Sequence, residues 1–146
     1  MSLTLNKFLK NSGYISVKLN FLKTKHYLLT ATINGKSGRF ILDTGASSSC
    51  ICTSLEKNFN IISKETIEKA SSATSEISNT KISKGNKIQI GTWKSKINLV
   101  TFDMNYINNA LSEKKIDSVS GIIGADVLKK SKAILDYKSN NLYLKL

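Results

Sequence analysis

From residue 14 to residue 19 the chain alternates, with Ile15, Val17 and Leu19 on one side and Tyr14, Ser16 and Lys18 on the other. That period of two is the mark of a half-buried strand. Residues 27–33 form a second β-forming run, and Asn34-Gly35 follows it. Asn-Gly predicts a two-residue type I′ hairpin, because both central positions of that turn need positive φ. The return strand runs through Leu42 and leads straight into Asp43-Thr44-Gly45-Ala46-Ser47. A second hairpin is predicted from residues 87–90, Gly91 and residues 96–102, and closing strands from 133–137 and 141–146. The one clear helical pattern covers residues 125–130. Residues 3–10 fit a short amphipathic helix or an extended arm equally well, before Asn11-Ser12-Gly13 breaks the pattern. Residues 53–57 read as a helical turn or loop, 64–70 as a loop, and 70–81 as a small, polar hairpin. The stretch 105–120 reads as a polar connection holding a short helix at 106–112. Short strands at close spacing with one C-terminal helix predict an all-β, barrel-like fold.

A length of 146 residues matches one domain, and 40% hydrophobic with 22% charged residues is a globular balance. The formal net charge is +12, from 22 basic and 10 acidic residues. Arg39 is the single arginine, and the lysines run singly except at 114–115 and 129–130. Without Arg clusters or aromatic platforms this pattern implies a solvated surface, and no nucleic-acid partner is expected. Charge is uneven along the chain: seven positive charges and no negative ones precede Asp43. Cys50 and Cys52 are too few for a disulfide framework and are expected as free thiols, which suits a reducing, cytoplasmic setting. No apolar run approaches the ~20 residues of a membrane span.

Other chemistries fall away on composition. His26 stands alone and cannot build a metal site, and it has no nucleophile elbow to serve. Gly35-Lys36-Ser37 lacks the earlier glycine of a phosphate loop, since Thr30 holds that place. Asp103, Asp126 and Asp136 read as structural, with Asp126 in the first turn of the predicted helix, where a carboxylate complements the dipole. Trp93 reads as a packing residue. A weak internal echo links Ile33-Asn34-Gly35 and the apolar run before Asp43 with Ile90-Gly91 and the later Ile122-Ile123-Gly124.

Phe40-Ile41-Leu42-Asp43-Thr44-Gly45-Ala46-Ser47 resembles the active-site motif of retropepsin-like aspartic proteases. Gly121-Ile122-Ile123-Gly124-Ala125-Asp126-Val127-Leu128, about 80 residues on, resembles that family's second motif. Ala133-Ile134-Leu135-Asp136-Tyr137 and Leu142-Tyr143-Leu144 resemble its closing strands, so the likeness spans residues 26–146, after an extension over 1–25.

The resemblance implies a retropepsin-like closed barrel of mostly antiparallel strands, assembled as a homodimer. It implies an aspartic endopeptidase acting on a peptide or protein substrate, without cofactor or metal. Aspartic proteolysis needs two carboxylates sharing a proton about one water. This chain has Ile123-Gly124 where a second catalytic Asp-Thr/Ser-Gly would stand, so the other Asp43 must come from a second copy. By the same resemblance Thr44 bonds across the dimer and Gly45 offers its amide to the carboxylate. Ala46, lacking a hydroxyl, is expected to raise the working pH, and Ser47 ties down the loop or lines the site. Ser75, Glu76 and Ile77 fall where the family places its substrate-covering flap, though without a glycine-rich tip. A catalytically silent peptide-binding module on the same fold is the alternative.

Overall fold

The computed structural model describes residues 3–65 and 80–146. In chain order the first half contains α1 (Leu5–Asn11), β1 (Tyr14–Lys18), β2 (Asn20–Phe21), β3 (Tyr27–Ile33), β4 (Lys36–Leu42), β5 (Cys50–Cys52) and β6 (Lys64–Glu65). The second half contains β7 (Lys81–Ile90), β8 (Trp93–Phe102), α2 (Asn105–Glu113), β9 (Gly121–Ile123), α3 (Ala125–Lys130), β10 (Ile134–Asp136) and β11 (Asn141–Lys145).

The expected hairpin forms at Asn34 and Gly35, whose φ values of 49° and 84° match the turn that Asn-Gly predicts. It joins β3 and β4 in antiparallel register from Tyr27↔Leu42 to Ile33↔Lys36. The order β3–β4–β9–β5–β8–β7 then returns to β3 through Thr32↔Gln89 and Ile33↔Ile88, which closes a barrel of six strands. The ring is mostly antiparallel, but β4–β9 and β5–β8 are parallel. A separate three-stranded sheet, β1–β11–β10, joins the start of the described chain to its end.

Inward positions of the barrel strands, including Leu29, Ala31, Ile33, Phe40, Ile51, Ile88, Ile90, Leu99 and Ile123, form one buried core. Leu28, Ile41 and Cys52 point the other way and are covered by Met104, Leu111 and Val119. Strands buried on both faces read as continuous apolar runs, as Phe40-Ile41-Leu42 does. Trp93 belongs to the main core.

Three α-helices are present among the described residues: α3 where the clear helical pattern lies, α2 over the short helix expected at 106–112, and α1 within the ambiguous stretch 3–10. Thr4 caps α1 by accepting the Lys7 amide at 3.2 Å, and Leu9 anchors the helix, which settles the ambiguity over 3–10. Asp103 starts α2 by accepting the Asn105 amide at 2.8 Å. Residues 64–65, expected as loop, pair with Lys81 and Ile82 of β7. The predicted flap residues Ser75, Glu76 and Ile77 lie outside the described residues. No helix among the described residues is long and apolar enough to cross a membrane.

Candidate active site

Asp43 leaves the end of β4, where its amide extends the parallel pairing by donating to the Ile123 carbonyl at 2.9 Å. The chain then turns sharply, with the Ala46 amide donating to the Asp43 carbonyl at 3.1 Å. The Ala46 carbonyl accepts the Ala125 amide at 2.7 Å, so the loop is fastened to the start of α3. These bonds bring the two sequence motifs together, 80 residues apart though they are.

Close approach explains the glycines of the second motif. A Cβ on Gly124 would lie 2.5 Å from the Ala46 carbonyl oxygen, and one on Gly121 would lie 2.0 Å from that of Cys50. Both obstacles are backbone, which cannot swing aside.

The Gly45 amide donates to Asp43 Oδ1 at 2.9 Å, the contact expected of that glycine. Asp43, Thr44, Gly45 and Ser47 are exposed in the single chain, and Ala46 is half-buried. An open cleft of about 620 Å³ lies beside Thr44, lined by Ala125, Leu128, Lys129, Lys132 and Ala133. One chain therefore presents a single oriented carboxylate at a surface, with a cleft beside it.

Beneath the loop is a network that the sequence did not reveal. Ser49 is 0% exposed. Its hydroxyl donates to Asp126 Oδ1 at 2.7 Å and accepts the Gly124 amide at 2.8 Å. Its own amide donates to Asp126 Oδ2 at 2.9 Å. Asp126 Oδ1 also accepts the Val127 amide at 2.8 Å. Asp126 does sit in the first turn of α3, but its carboxylate chiefly grips Ser49. The signal available was slight: Ser49 is the last of three serines, just before the apolar Cys50-Ile51-Cys52 strand.

Cys50 and Cys52 are free and buried. Burial pushes the Cys50 thiol up to about 12, and the carboxylates of Asp126 and Asp43 add to the effect. Cys50 is thus a packing thiol rather than a nucleophile. His26 is exposed, with Nδ1 2.9 Å from Thr24 Oγ1. Among the described residues no three His, Cys, Asp or Glu side chains gather as a metal site.

Residues 29–127 match the model of the aspartyl protease family. No curated protein matches the sequence. Among solved structures, the fold is similar to a retropepsin-like aspartic protease from Rickettsia conorii, at 17% identity and a TM-score of 0.59 over 90% of each chain. It is also similar to the EIAV protease complexed with the inhibitor HBY-793, at 17% identity and TM-score 0.57, over 80% of this chain and 98% of that one. The retroviral protease-like domain of Ddi1 from Leishmania major matches at 14% identity and TM-score 0.53, over 80% of this chain and 86% of that domain. These likenesses establish the retropepsin fold.

Proposed function

The chain belongs to the aspartyl protease family, and on that premise we propose that it is an aspartic endopeptidase working as a symmetric pair of chains, each supplying one Asp43. The observation that carries this reading is the Asp43 loop itself. Its carboxylate is held by the Gly45 amide and exposed at a surface, while Ile123-Gly124 occupies the place of a second catalytic motif.

Two Asp43 carboxylates facing each other cannot both ionise, so the pair retains one proton. The ionised member accepts a proton from a water held between them. The protonated member donates to the scissile carbonyl oxygen as that water attacks the carbonyl carbon. The tetrahedral intermediate then collapses as the departing nitrogen is protonated, and no covalent enzyme intermediate forms. Gly45 holds the carboxylate, and Thr44, exposed beside its cleft, meets the second copy. Ala46 and Ser47 line the approach of an extended peptide, with Ser75, Glu76 and Ile77 in the segment that covers it. Buried free thiols suit a reducing compartment, which favours a cytoplasmic setting.

The test is cleavage of a mixed peptide library from acid to neutral pH, with Asp43→Asn beside the parent. Cuts made only by the parent, with a rate per chain that falls on dilution, are expected. A folded, paired protein that makes no cuts would favour a peptide-binding module instead.

A further inference from the structure

The β7–β8 hairpin, residues 81–102, carries five lysines and no acidic residue. Its register sets Lys87 directly opposite Lys96, and Gln89 opposite Lys94. Directly opposed side chains on a sheet have Cβ atoms only about 5 Å apart, and like charges so placed repel. All three lysines are exposed. Among the described residues the single ion pair is Arg39–Asp117, at 3.4 Å, and none of their carboxylates pairs with this cluster. A fourth ammonium approaches the same strand, with Lys130 Nζ donating to the Lys96 carbonyl at 2.5 Å.

These lysines do not stand on a flat face. With Thr32, Gly35 and Ser95 they line a cleft of about 550 Å³ at the seam where β7 closes against β3. The seam is stiff at this point. Asn34 clamps the Lys87 backbone from both sides, its side-chain Oδ1 accepting the Lys87 amide at 2.9 Å and its backbone amide donating to the Lys87 carbonyl at 2.8 Å. Gly35 and Asp43 lie at opposite ends of β4, roughly 25 Å of strand apart at ~3.3 Å per residue. The cleft is therefore separate from the candidate active site.

We infer that this cleft binds a ligand carrying two or more linked phosphates, held between Lys87, Lys94 and Lys96. Lysine recognises phosphate as a point charge, and the Thr32 hydroxyl, opposite Gln89 on the lysines' face, supplies a neutral donor. The large aromatic nearest the lysines in the chain, Trp93, is buried, so the cleft has no exposed ring on which a base would stack. This favours recognition of phosphate itself over nucleic acid. The repulsion between Lys87 and Lys96 is relieved when the anion enters, which couples occupancy to stability.

The experiment is titration with inorganic tripolyphosphate at low salt, followed by calorimetry and by amide chemical shifts. Shifts are expected to concentrate at residues 32–36, 87–89 and 94–96. The triple variant Lys87→Gln/Lys94→Gln/Lys96→Gln is expected to weaken binding roughly tenfold or more. Its melting temperature without ligand should equal or exceed the parent's, which separates lost binding from misfolding. A control with the same charge, Lys7→Gln/Lys18→Gln/Lys138→Gln, should bind within about twofold of the parent. Equal weakening in both triples, shifts spread over all lysines, or no binding would each overturn the inference.

Vesicles of phosphatidylcholine with and without phosphatidylinositol bisphosphate distinguish the sources. Retention only with the phosphorylated lipid assigns a headgroup, and tripolyphosphate binding without retention assigns a free phosphate ligand. A single-stranded oligonucleotide that outcompetes tripolyphosphate through bases as well as phosphates would overturn the preference for phosphate alone. None of these readouts uses Asp43, so their failure is distinct from failure of the protease assignment.

Discussion

Ser49→Ala is the most informative single change in the loop's foundation. It deletes one hydroxyl and leaves the backbone in place. The hydroxyl's bond to Asp126 is charge-assisted, at 2.7 Å, a class worth about 1.5–3 kcal/mol. The same oxygen is the acceptor for the buried Gly124 amide, and an amide left without a partner costs about 1–3 kcal/mol. The Ser49 amide still reaches Asp126 Oδ2 in the variant, so the loss is partial. Together these terms give an expected destabilisation of about 3–4 kcal/mol, or roughly 10 °C in Tm for a chain of this size. Urea unfolding at fixed protein concentration measures it, with Ser48→Ala as the reference. Ser48 is exposed, and its change should stay within about 0.5 kcal/mol. Cleavage should fall as well, because Asp43 and Ser49 fasten the two ends of one loop to the same β9–α3 junction. A reactive group displaced by an ångström can lose about a hundredfold in rate. If Ser49→Ala unfolds within 0.5 kcal/mol of the parent, on the ~1 kcal/mol scale of a single hydrogen bond, the network does not hold the loop and the reasoning fails.

Gly121→Ala places a methyl 2.0 Å from the Cys50 carbonyl oxygen, so soluble yield and circular dichroism should show loss of the native fold; a native spectrum would mean that β5 and β9 can separate at little cost. Cys50, pushed up to about 12 by burial and by the Asp126 and Asp43 carboxylates, should resist iodoacetamide in the native protein at mildly alkaline pH and react once urea is added. Mass spectrometry reads this directly, and alkylation at the rate of a free peptide thiol would refute it. Asp136 has its carboxyl lowered chiefly by the Ser139 hydroxyl, with the Lys138 amide helping. A lowered carboxyl contributes stability above its unfolded value and loses it as pH falls through the folded one. Asp136→Asn should therefore flatten the acid side of the stability curve below the usual carboxylate range, and an unchanged acid limb in urea titrations would count against it.

Much of the fold was legible because its strands obey simple patterns. Tyr27–Ile33 and Ala125–Lys130 form as read, since one is a dense β-forming run before Asn-Gly and the other a short helix after Gly124. The β7–β8 hairpin was read too short for a physical reason. A register shift between Ser83 and Asn86 breaks the alternation, and Gly85 adopts φ 70° there. Asn86 consequently turns inward, donating to Ser83 at 3.0 and 3.1 Å. A buried asparagine inside a strand looks like a loop residue until its partners are known. The Asp43 motif was visible because its chemistry demands particular residues. Ser49 was not, because burial of a serine depends on a partner 77 positions away.

The geometry also shows how much of the candidate site one chain builds by itself. The barrel closes within a single chain, and both edges of β11 are already paired, by β1 and β10. The loop is anchored to β9 and α3 of the same chain through Ala46, Ser49 and Asp126. None of these contacts waits for a second copy. Asp43, Thr44 and Gly45 nevertheless remain at the surface. The loop's orientation is thus fixed by contacts within one chain. In the proposed pair of chains a second copy would meet a loop that is already ordered, so the free energy of association would not be spent on fixing it.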